Sequence, residues 1–199
     1  MKRLFSSLLS LLLLATFALP AQAATLKAGD SAPDFTLQGS LNGKDFTFAL
    51  QDALAKGPVV IYFFPSAFTQ GCDLEAHTFA TQMDKFKAAG ASVIGVSADS
   101  IERLHDFSKD PEFCAGAFPV ASDTNGKVAA SYGLTPITAK TGMTDVRGAD
   151  VAHPLIPRTT FVLAKSGKLV TRMSSAEDGL TPIDHVEKSL AIVTRLQAQ

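Results

Sequence analysis

An uninterrupted apolar run from Val59 to Phe64 constrains the fold of this chain more than any other segment. The run has the length of a strand and shows no alternation between apolar and polar side chains. This pattern is typical of a strand that is buried on both faces of a sheet. We therefore predict a central strand at residues 59–64.

Turn signals and apolar spacing predict the elements around this strand. Before it we expect a flap of two short antiparallel strands, 35–37 and 46–48, joined across Asn42-Gly43, a dipeptide suited to tight hairpins. Apolar residues three and four positions apart then predict a helix over 72–89. The later pattern predicts strands at 92–97, 118–120, 160–164 and 169–173, helices at 100–109, 125–132 and 182–196, and a long loop at 135–157. The order of elements is that of an α/β domain.

Cys72 is expected on the first turn of the helix that follows the central strand. A helix N-terminus presents unpaired N–H groups and the positive end of the helix dipole, which favour a charged sulfur. Cysteine pKa values at such positions fall from about 8.5 to roughly 3.5–7.5. The sequence therefore predicts a reactive thiolate at Cys72.

The first 23 residues have the composition of a secretory signal peptide. Lys2 and Arg3 precede an almost wholly apolar stretch over 4–19, and an Ala-Gln-Ala sequence ending at Ala23 provides a small-residue cleavage site. The alternative is a membrane anchor, but a spanning helix needs about 20 apolar residues. We predict cleavage after Ala23 and a periplasmic or secreted single domain, residues 24–199, with no stable insertion in the membrane.

Charge and motif content argue against several partners and cofactors. The chain has 18 Lys and Arg against 19 Asp and Glu, and no basic run follows the pattern of a phosphate-binding surface. Nucleic acid is therefore not expected as a partner. Metal-binding spacings are absent from the sequence, as are glycine-rich nucleotide motifs, so we predict neither a metal nor a cofactor. The four histidines are scattered, at His77, His105, His153 and His185.

Three stretches of the sequence resemble the peroxiredoxin family. Pro65, Thr69 and Cys72 stand at P-x-x-x-T-x-x-C spacing, and Arg158 opens a stretch similar to R-x-T-F-x-x-x-x-x-G-K. Residues 27–37 resemble the family's G-x-x-A-P-x-F start. The resemblance covers essentially the whole mature chain and is strongest to the peroxiredoxin Q or bacterioferritin comigratory protein branch. It implies a thioredoxin-like fold, with a central mixed sheet flanked by helices and an N-terminal β-hairpin.

The resemblance also implies roles for the site residues in a thiol peroxidase that reduces hydrogen peroxide and organic hydroperoxides. Cys72 would be the nucleophile, and Thr69 would bind the peroxide and donate to the sulfur. Arg158 would lower the thiolate pKa and polarise the substrate. Pro65 would shield the sulfur from water, and Glu75 would position Arg158 or other groups of the site.

The same resemblance assigns Cys114 as the thiol that resolves a sulfenic acid on Cys72 through an intramolecular disulfide. Some relatives carry this cysteine five residues after the nucleophile, where this chain has His77. A permanent structural disulfide and a disulfide to a second subunit remain alternatives. Because the nucleophile must be free when reduced, the start of its helix and segment 108–117 are expected to rearrange.

Other functions remain open at this point. An exported thioredoxin-fold oxidoreductase would exchange disulfides with proteins, although such enzymes normally carry C-x-x-C. A non-catalytic scaffold with a structural disulfide is a further alternative. For the peroxidase we expect a thioredoxin-like or other thiol reductant as partner, and a monomer or homodimer. Asp73, which replaces a threonine common in the family, is expected to raise the thiolate pKa.

Overall fold

The structure, a computed structural model, describes residues 25–198. The predicted signal peptide lies outside the described residues. Within them, no helix combines the length and the apolar character that crossing a bilayer requires.

The described chain folds around one seven-stranded mixed sheet with the strand order β2-β1-β5-β4-β3-β6-β7. The strands are β1 (Thr36–Leu41), β2 (Lys44–Ala49), β3 (Val59–Phe63), β4 (Ser92–Ser97), β5 (Val120–Ser122), β6 (Thr159–Leu163) and β7 (Leu169–Ser174). The helices are α1 (Leu50–Leu54), α2 (Gln70–Ala88), α3 (Ile101–Lys109), α4 (Lys127–Ser131), α5 (Ser175–Asp178) and α6 (Pro182–Gln197). This is the α/β order that the sequence pattern predicted and the thioredoxin-like arrangement that the family resemblance implied.

The apolar run forms the central strand β3, as predicted. It pairs in parallel with β4 and antiparallel with β6, and all five of its residues are buried. Its side chains alternate between two apolar clusters, one on each face of the sheet. Val60 and Tyr62 belong to the cluster that contains both Cys72 and Cys114, whereas Ile61 belongs to the other cluster. The sheet therefore places both cysteines on the same face.

The predicted hairpin is confirmed, but it is longer than expected and belongs to the main sheet. Asn42 and Gly43 have φ angles of 53° and 73°, as a tight hairpin turn between β1 and β2 requires. Residues Gly39 and Ser40 of β1 also pair with β5. The hairpin is therefore not a separate flap, because it extends the sheet by two strands.

Several boundaries differ from the sequence-based expectation. Helix α2 begins at Gln70, before the expected start at Cys72. Strand β5 begins at Val120 because Pro119 has no N–H for the ladder, although its carbonyl accepts from the Gly95 N–H at 3.2 Å. The short helices α1 and α5 were not predicted, since neither contains enough residues to show an apolar period.

Candidate active site

Cys72 lies in the first turn of α2 and is only 2 % exposed. Thr69 is the N-cap of this helix, and its carbonyl accepts from the Cys72 and Asp73 N–H groups at 2.8 and 2.9 Å. Its side chain does not cap the helix, because the hydroxyl donates to the Ser66 carbonyl at 2.7 Å. The same hydroxyl is near enough to the Cys72 sulfur for a hydrogen bond between them to lower the thiol pKa, so rotation about its C–O bond would turn the hydrogen from Ser66 to the sulfur.

Arg158, immediately before β6, joins two side chains of α2. Its Nη2 lies 3.3 Å from the Cys72 sulfur, and its Nη1 donates to a carboxylate oxygen of Glu75. Cys72 and Glu75 are three residues apart and so lie on the same side of the helix. The structure thus brings together the predicted nucleophile and the arginine named from the sequence, with Glu75 bound to the arginine.

The charge balance at Cys72 differs from the expectation of a low-pKa thiolate. Burial raises the pKa of the thiol, while Arg158, the Thr69 hydroxyl and the Ser66 backbone N–H act to lower it. Glu75 adds a further upward shift. The net direction is upward, because removal from water outweighs the positive partners at this depth. The predicted lowering of the pKa is therefore not met while Cys72 is closed off from water.

Glu75 is itself fully buried. Burial raises the pKa of this carboxyl group to about 7, although the charge of Arg158 opposes the shift. The pKa of Arg158 is raised: burial acts to lower it, but the Glu75 and Cys72 charges dominate. The pair therefore keeps a positive guanidinium against the sulfur.

Gly71 lies beside the Arg158 guanidinium. A Cβ atom at Gly71 would lie 3.1 Å from Arg158 Nη2, closer than most real contacts of a Cβ atom. Glycine therefore gives the guanidinium room beside the helix. Pro65 is half-buried directly after the chain leaves the central sheet.

Cys114 lies in a segment of turns between α3 and β5 and is completely buried. Both cysteines are free thiols. Burial raises the pKa of Cys114, and the Asp110 and Asp73 carboxylates raise it further. Asp73 was expected to act on Cys72, but the carboxylate that acts on that thiol is Glu75. The influence of Asp73 falls on the second cysteine.

Three aromatic side chains connect the two cysteine segments. Phe68, four residues before Cys72, packs edge-on against Phe113 with ring centroids 5.6 Å apart. Both rings also pack on Phe107 of α3. Movement of either segment would therefore disturb the other.

The loop 135–157 reaches the site through Phe68. The Val146 N–H donates to the Phe68 carbonyl at 2.9 Å, and the Arg147 guanidinium lies 3.3 Å from the centroid of the Phe68 ring. The loop also contributes His153 to a polar cluster around Asp99. Sequence reasoning named neither Phe68 nor Asp99. For Asp99 a signal existed, since it lies two residues beyond the carboxyl end of parallel strand β4, where polar side chains often form sites.

The remaining histidines are dispersed over the surface and core. His105 contacts Asp45, and His77 contacts the Glu112 carbonyl. His185 hydrogen-bonds with Thr160, and burial lowers its pKa to about 4. Within residues 25–198, no three potential ligands are grouped as a metal site would require.

Comparison with known proteins agrees with this geometry. Residues 28–172 match the AhpC/TSA family. The chain belongs to this family of peroxiredoxins. It is 32% identical over 169 residues to a chloroplastic peroxiredoxin Q of Oryza sativa subsp. japonica, covering 84% of this chain and 67% of the rice protein.

Two solved peroxiredoxin structures share its fold. Peroxidoxin BcpB from Mycobacterium tuberculosis is 29% identical with a TM-score of 0.68, covering 85% of this chain and 97% of that one. The bacterioferritin comigratory protein of Xanthomonas campestris is 28% identical with a TM-score of 0.61, covering 81% and 92%. Alkyl peroxide reduction activity is described for the Xanthomonas protein. The likeness includes the peroxiredoxin Q and bacterioferritin comigratory branch that the sequence resembled.

Proposed function

We propose that this peroxiredoxin reduces hydrogen peroxide and organic hydroperoxides through a sulfenic acid on Cys72 and an intramolecular disulfide with Cys114. The observation that carries the proposal is the placement of Arg158, which contacts the Cys72 sulfur and is fixed by Glu75. Membership in the AhpC/TSA family and the activity described for the Xanthomonas relative support the same reaction.

In the first step the Cys72 thiolate attacks one oxygen of the peroxide. The S–O bond forms as the O–O bond breaks, and the departing oxygen takes a proton to leave as water or an alcohol. Arg158 stays charged throughout and stabilises the negative charge that develops on the departing oxygen. The Thr69 hydroxyl, now bound to Ser66, would turn to hold the peroxide. Cys72 ends as the sulfenic acid.

In the second step the Cys114 thiol displaces hydroxide from the sulfenic acid, releasing water and forming a disulfide. This step requires motion, because both thiols are buried within one apolar cluster. Phe68 and Ala115 have φ angles of 58° and 50°, uncommon values for residues other than glycine. Each stands beside a cysteine segment, so rearrangement would relieve local strain there. Two thiol equivalents from a thioredoxin-like or other reductant would restore the dithiol.

The proposed location is the periplasm or the extracellular space, after cleavage behind Ala23. This part of the proposal rests on the sequence alone. It is tested by N-terminal sequencing of the protein recovered from outside the cytoplasm, which should begin at Ala24. Recovery of a chain that still begins at Met1 would contradict it.

The peroxidase assignment is tested with Cys72→Ser, because serine at this site is no comparable nucleophile. We expect peroxide consumption with a thiol reductant to be abolished while the circular dichroism spectrum is kept. Turnover that remains within about tenfold of the wild type would refute the assignment.

The role of Cys114 is tested separately with Cys114→Ser. This variant should consume one equivalent of peroxide and then stall with Cys72 as sulfenic acid, which excess oxidant converts to sulfinic acid. Mass spectrometry of the oxidised wild type should show a Cys72–Cys114 peptide within one chain. Steady turnover of Cys114→Ser with a dithiol protein donor would show that an external thiol completes the cycle. A linked peptide between two chains would indicate an intersubunit disulfide.

A further inference from the structure

We propose that His153 is a positioning residue for the first peroxide step, acting as an imidazolium that holds Ser66 and the backbone around the Cys72 sulfur through Asp99. The inference rests on the proposed function and adds a group from the long loop 135–157 to the machinery of the site. His153 does not itself touch the reacting sulfur.

Asp99 is the centre of a buried polar cluster at the end of β4. Its carboxylate accepts from the Ser66 hydroxyl at 2.9 Å, the Ala67 N–H at 2.8 Å and the Ser97 hydroxyl at 2.7 Å. It is fully buried, so each of these bonds is formed away from water. Asp99 therefore fixes two consecutive residues of the turn between β3 and the Cys72 helix.

The geometry around His153 identifies its protonation state. Its Nε2 lies 2.8 Å from the Asp99 carboxylate, and its Nδ1 lies 2.9 Å from the Pro154 carbonyl. Both partners are acceptors, and only the imidazolium can donate from both ring nitrogens. His153 is therefore charged in this geometry, and its Nε2 also lies 3.1 Å from the Ser66 hydroxyl.

Ser66 connects this cluster to the reaction centre. Its side chain is held by Asp99 and lies beside His153, while its carbonyl accepts from the Thr69 hydroxyl. Hydrogen bonding from the Ser66 backbone also acts to lower the pKa of the Cys72 thiol. A shift of Ser66 would therefore move a donor to the sulfur and the acceptor of the Thr69 hydroxyl at the same time.

The charges around His153 come from three elements. Asp99 follows β4, and Arg103 of α3 lies 2.8 Å from both the Asp99 and the Asp145 carboxylates. Arg147 from the loop also pairs with Asp145. Arg103 is shared between Asp99 and Asp145, and Arg147 pairs with Asp145. The imidazolium of His153 is therefore the second cation that balances the charge of buried Asp99.

The positioning of Ser66 by Asp99 and His153 therefore depends on pH. Burial acts to lower the pKa of His153, but the hydrogen bond and charge of Asp99 outweigh it and raise the pKa above the ordinary value. A raised pKa means that the bond to Asp99 is complete below about pH 6.5 and is lost as the pH rises through the folded-state value. The benefit to the reaction should disappear over the same interval.

The test compares His153→Gln with the wild type from pH 6 to pH 10. Glutamine can still donate to Asp99, but it carries no charge. Single-turnover peroxide reduction by His153→Gln should be about tenfold slower at pH 6, the loss expected for roughly one charged hydrogen bond. The ratio of the wild-type rate to the variant rate should fall toward one as the pH rises. Its midpoint should equal the midpoint at which the NMR resonances of the His153 ring protons titrate. A ratio that stays constant over this range, or lies within about twofold of one at pH 6, overturns the proposal.

Two further variants make the result specific. His105→Gln is the matched control, because His105 also pairs with an aspartate, Asp45, but outside this cluster. It should react at the wild-type rate at every pH. Ser66→Ala should slow the reaction, and adding His153→Gln to it should cause little further loss. Independent losses from the two substitutions would show that His153 does not act through Ser66.

A second measurement separates this inference from the proposed function. Alkylation of Cys72 by iodoacetamide, followed in the Cys114→Ser background, reports the thiolate without any peroxide. The same pH-dependent ratio in alkylation, with no peroxide consumed by the wild type, would refute the peroxidase proposal and retain the positioning role. Normal peroxide turnover with a constant ratio would refute only the role of His153.

Discussion

His77 Nδ1 lies 2.9 Å from the Glu112 carbonyl oxygen and so ties the Cys72 helix to the segment that carries Cys114. The carbonyl can only accept, so the ring nitrogen donates. His77 occupies the position, five residues after Cys72, where some peroxiredoxins have their second cysteine. In this chain the side chain at that position restrains the segment that contains the second cysteine instead.

The His77→Ala substitution should therefore speed formation of the Cys72–Cys114 disulfide severalfold, because the segment 110–117 loses a tether. Stopped-flow detection of disulfide formation after one equivalent of peroxide measures this rate. Hydrogen exchange in the segment should rise as well. Thr78→Ala is the control, since the Thr78 hydroxyl bonds only within the helix, to the Leu74 carbonyl. Equal rates for both variants would show that His77 is not a restraint.

Gly71→Ala should slow the first peroxide step without lowering stability. Alanine is favoured over glycine in a helix, whereas its Cβ would lie 3.1 Å from Arg158 Nη2 and displace the guanidinium. We expect a rate about threefold to tenfold lower with an unchanged or higher melting temperature, as for the loss of part of one transition-state contact. A matching loss of stability would indicate general misfolding rather than displacement of Arg158.

Arg158→Lys should slow the first peroxide step by at least about tenfold, although the positive charge is kept. One ammonium group cannot reproduce the fork that reaches Cys72 and Glu75 together. The midpoint of Cys72 alkylation should also move to higher pH, since the charge near the sulfur is less well placed. Arg172→Lys, which alters an arginine paired with exposed Glu177, is the control and should leave both measurements unchanged.

Asp73→Asn should stabilise the protein at neutral pH. Burial, with Asp145 and Asp110 nearby, raises the pKa of Asp73 to about 6. For a raised pKa, the contribution to stability is present below about pH 4 and is lost as the pH rises through 6. Chemical denaturation should therefore show a gain of about 1–2 kcal/mol for the variant at pH 7.5, and little gain at pH 4. The same gain at both pH values would contradict this account.

The sequence predicted those parts of the fold that carry a local pattern. The apolar run of β3 and the helical spacing of α2 and α6 are each long enough to show their period. Asn42-Gly43 specified the hairpin through the positive φ angles that it accommodates. The pattern did not show that β1 also pairs with β5, because pairing between strands that are far apart in sequence produces no pattern within either segment.

The site was predicted only as far as the family resemblance reached. Cys72 and Arg158 are 86 residues apart, and no spacing rule joins them without the motif. The cluster of Asp99 and His153 was missed because a buried polar contact between distant segments has no periodic signature. The thiol pKa was misjudged for a related reason. Helix position is visible in a sequence, but the depth at which a sulfur is buried is not.

The shared apolar cluster around Cys72 and Cys114 links the redox state of this protein to the hydration of its core. Under the proposed cycle, oxidation draws both sulfurs together and gives up part of the packing under one face of the sheet. The folded oxidised form would then expose more apolar surface to water than the folded dithiol form. Its heat capacity change of unfolding would therefore be smaller than that of the dithiol form. Because the stabilisation from apolar burial weakens on cooling, the free-energy cost of closing the disulfide would be smaller at lower temperature. The dithiol form would thus resist the rearrangement that forms the disulfide most strongly at higher temperature.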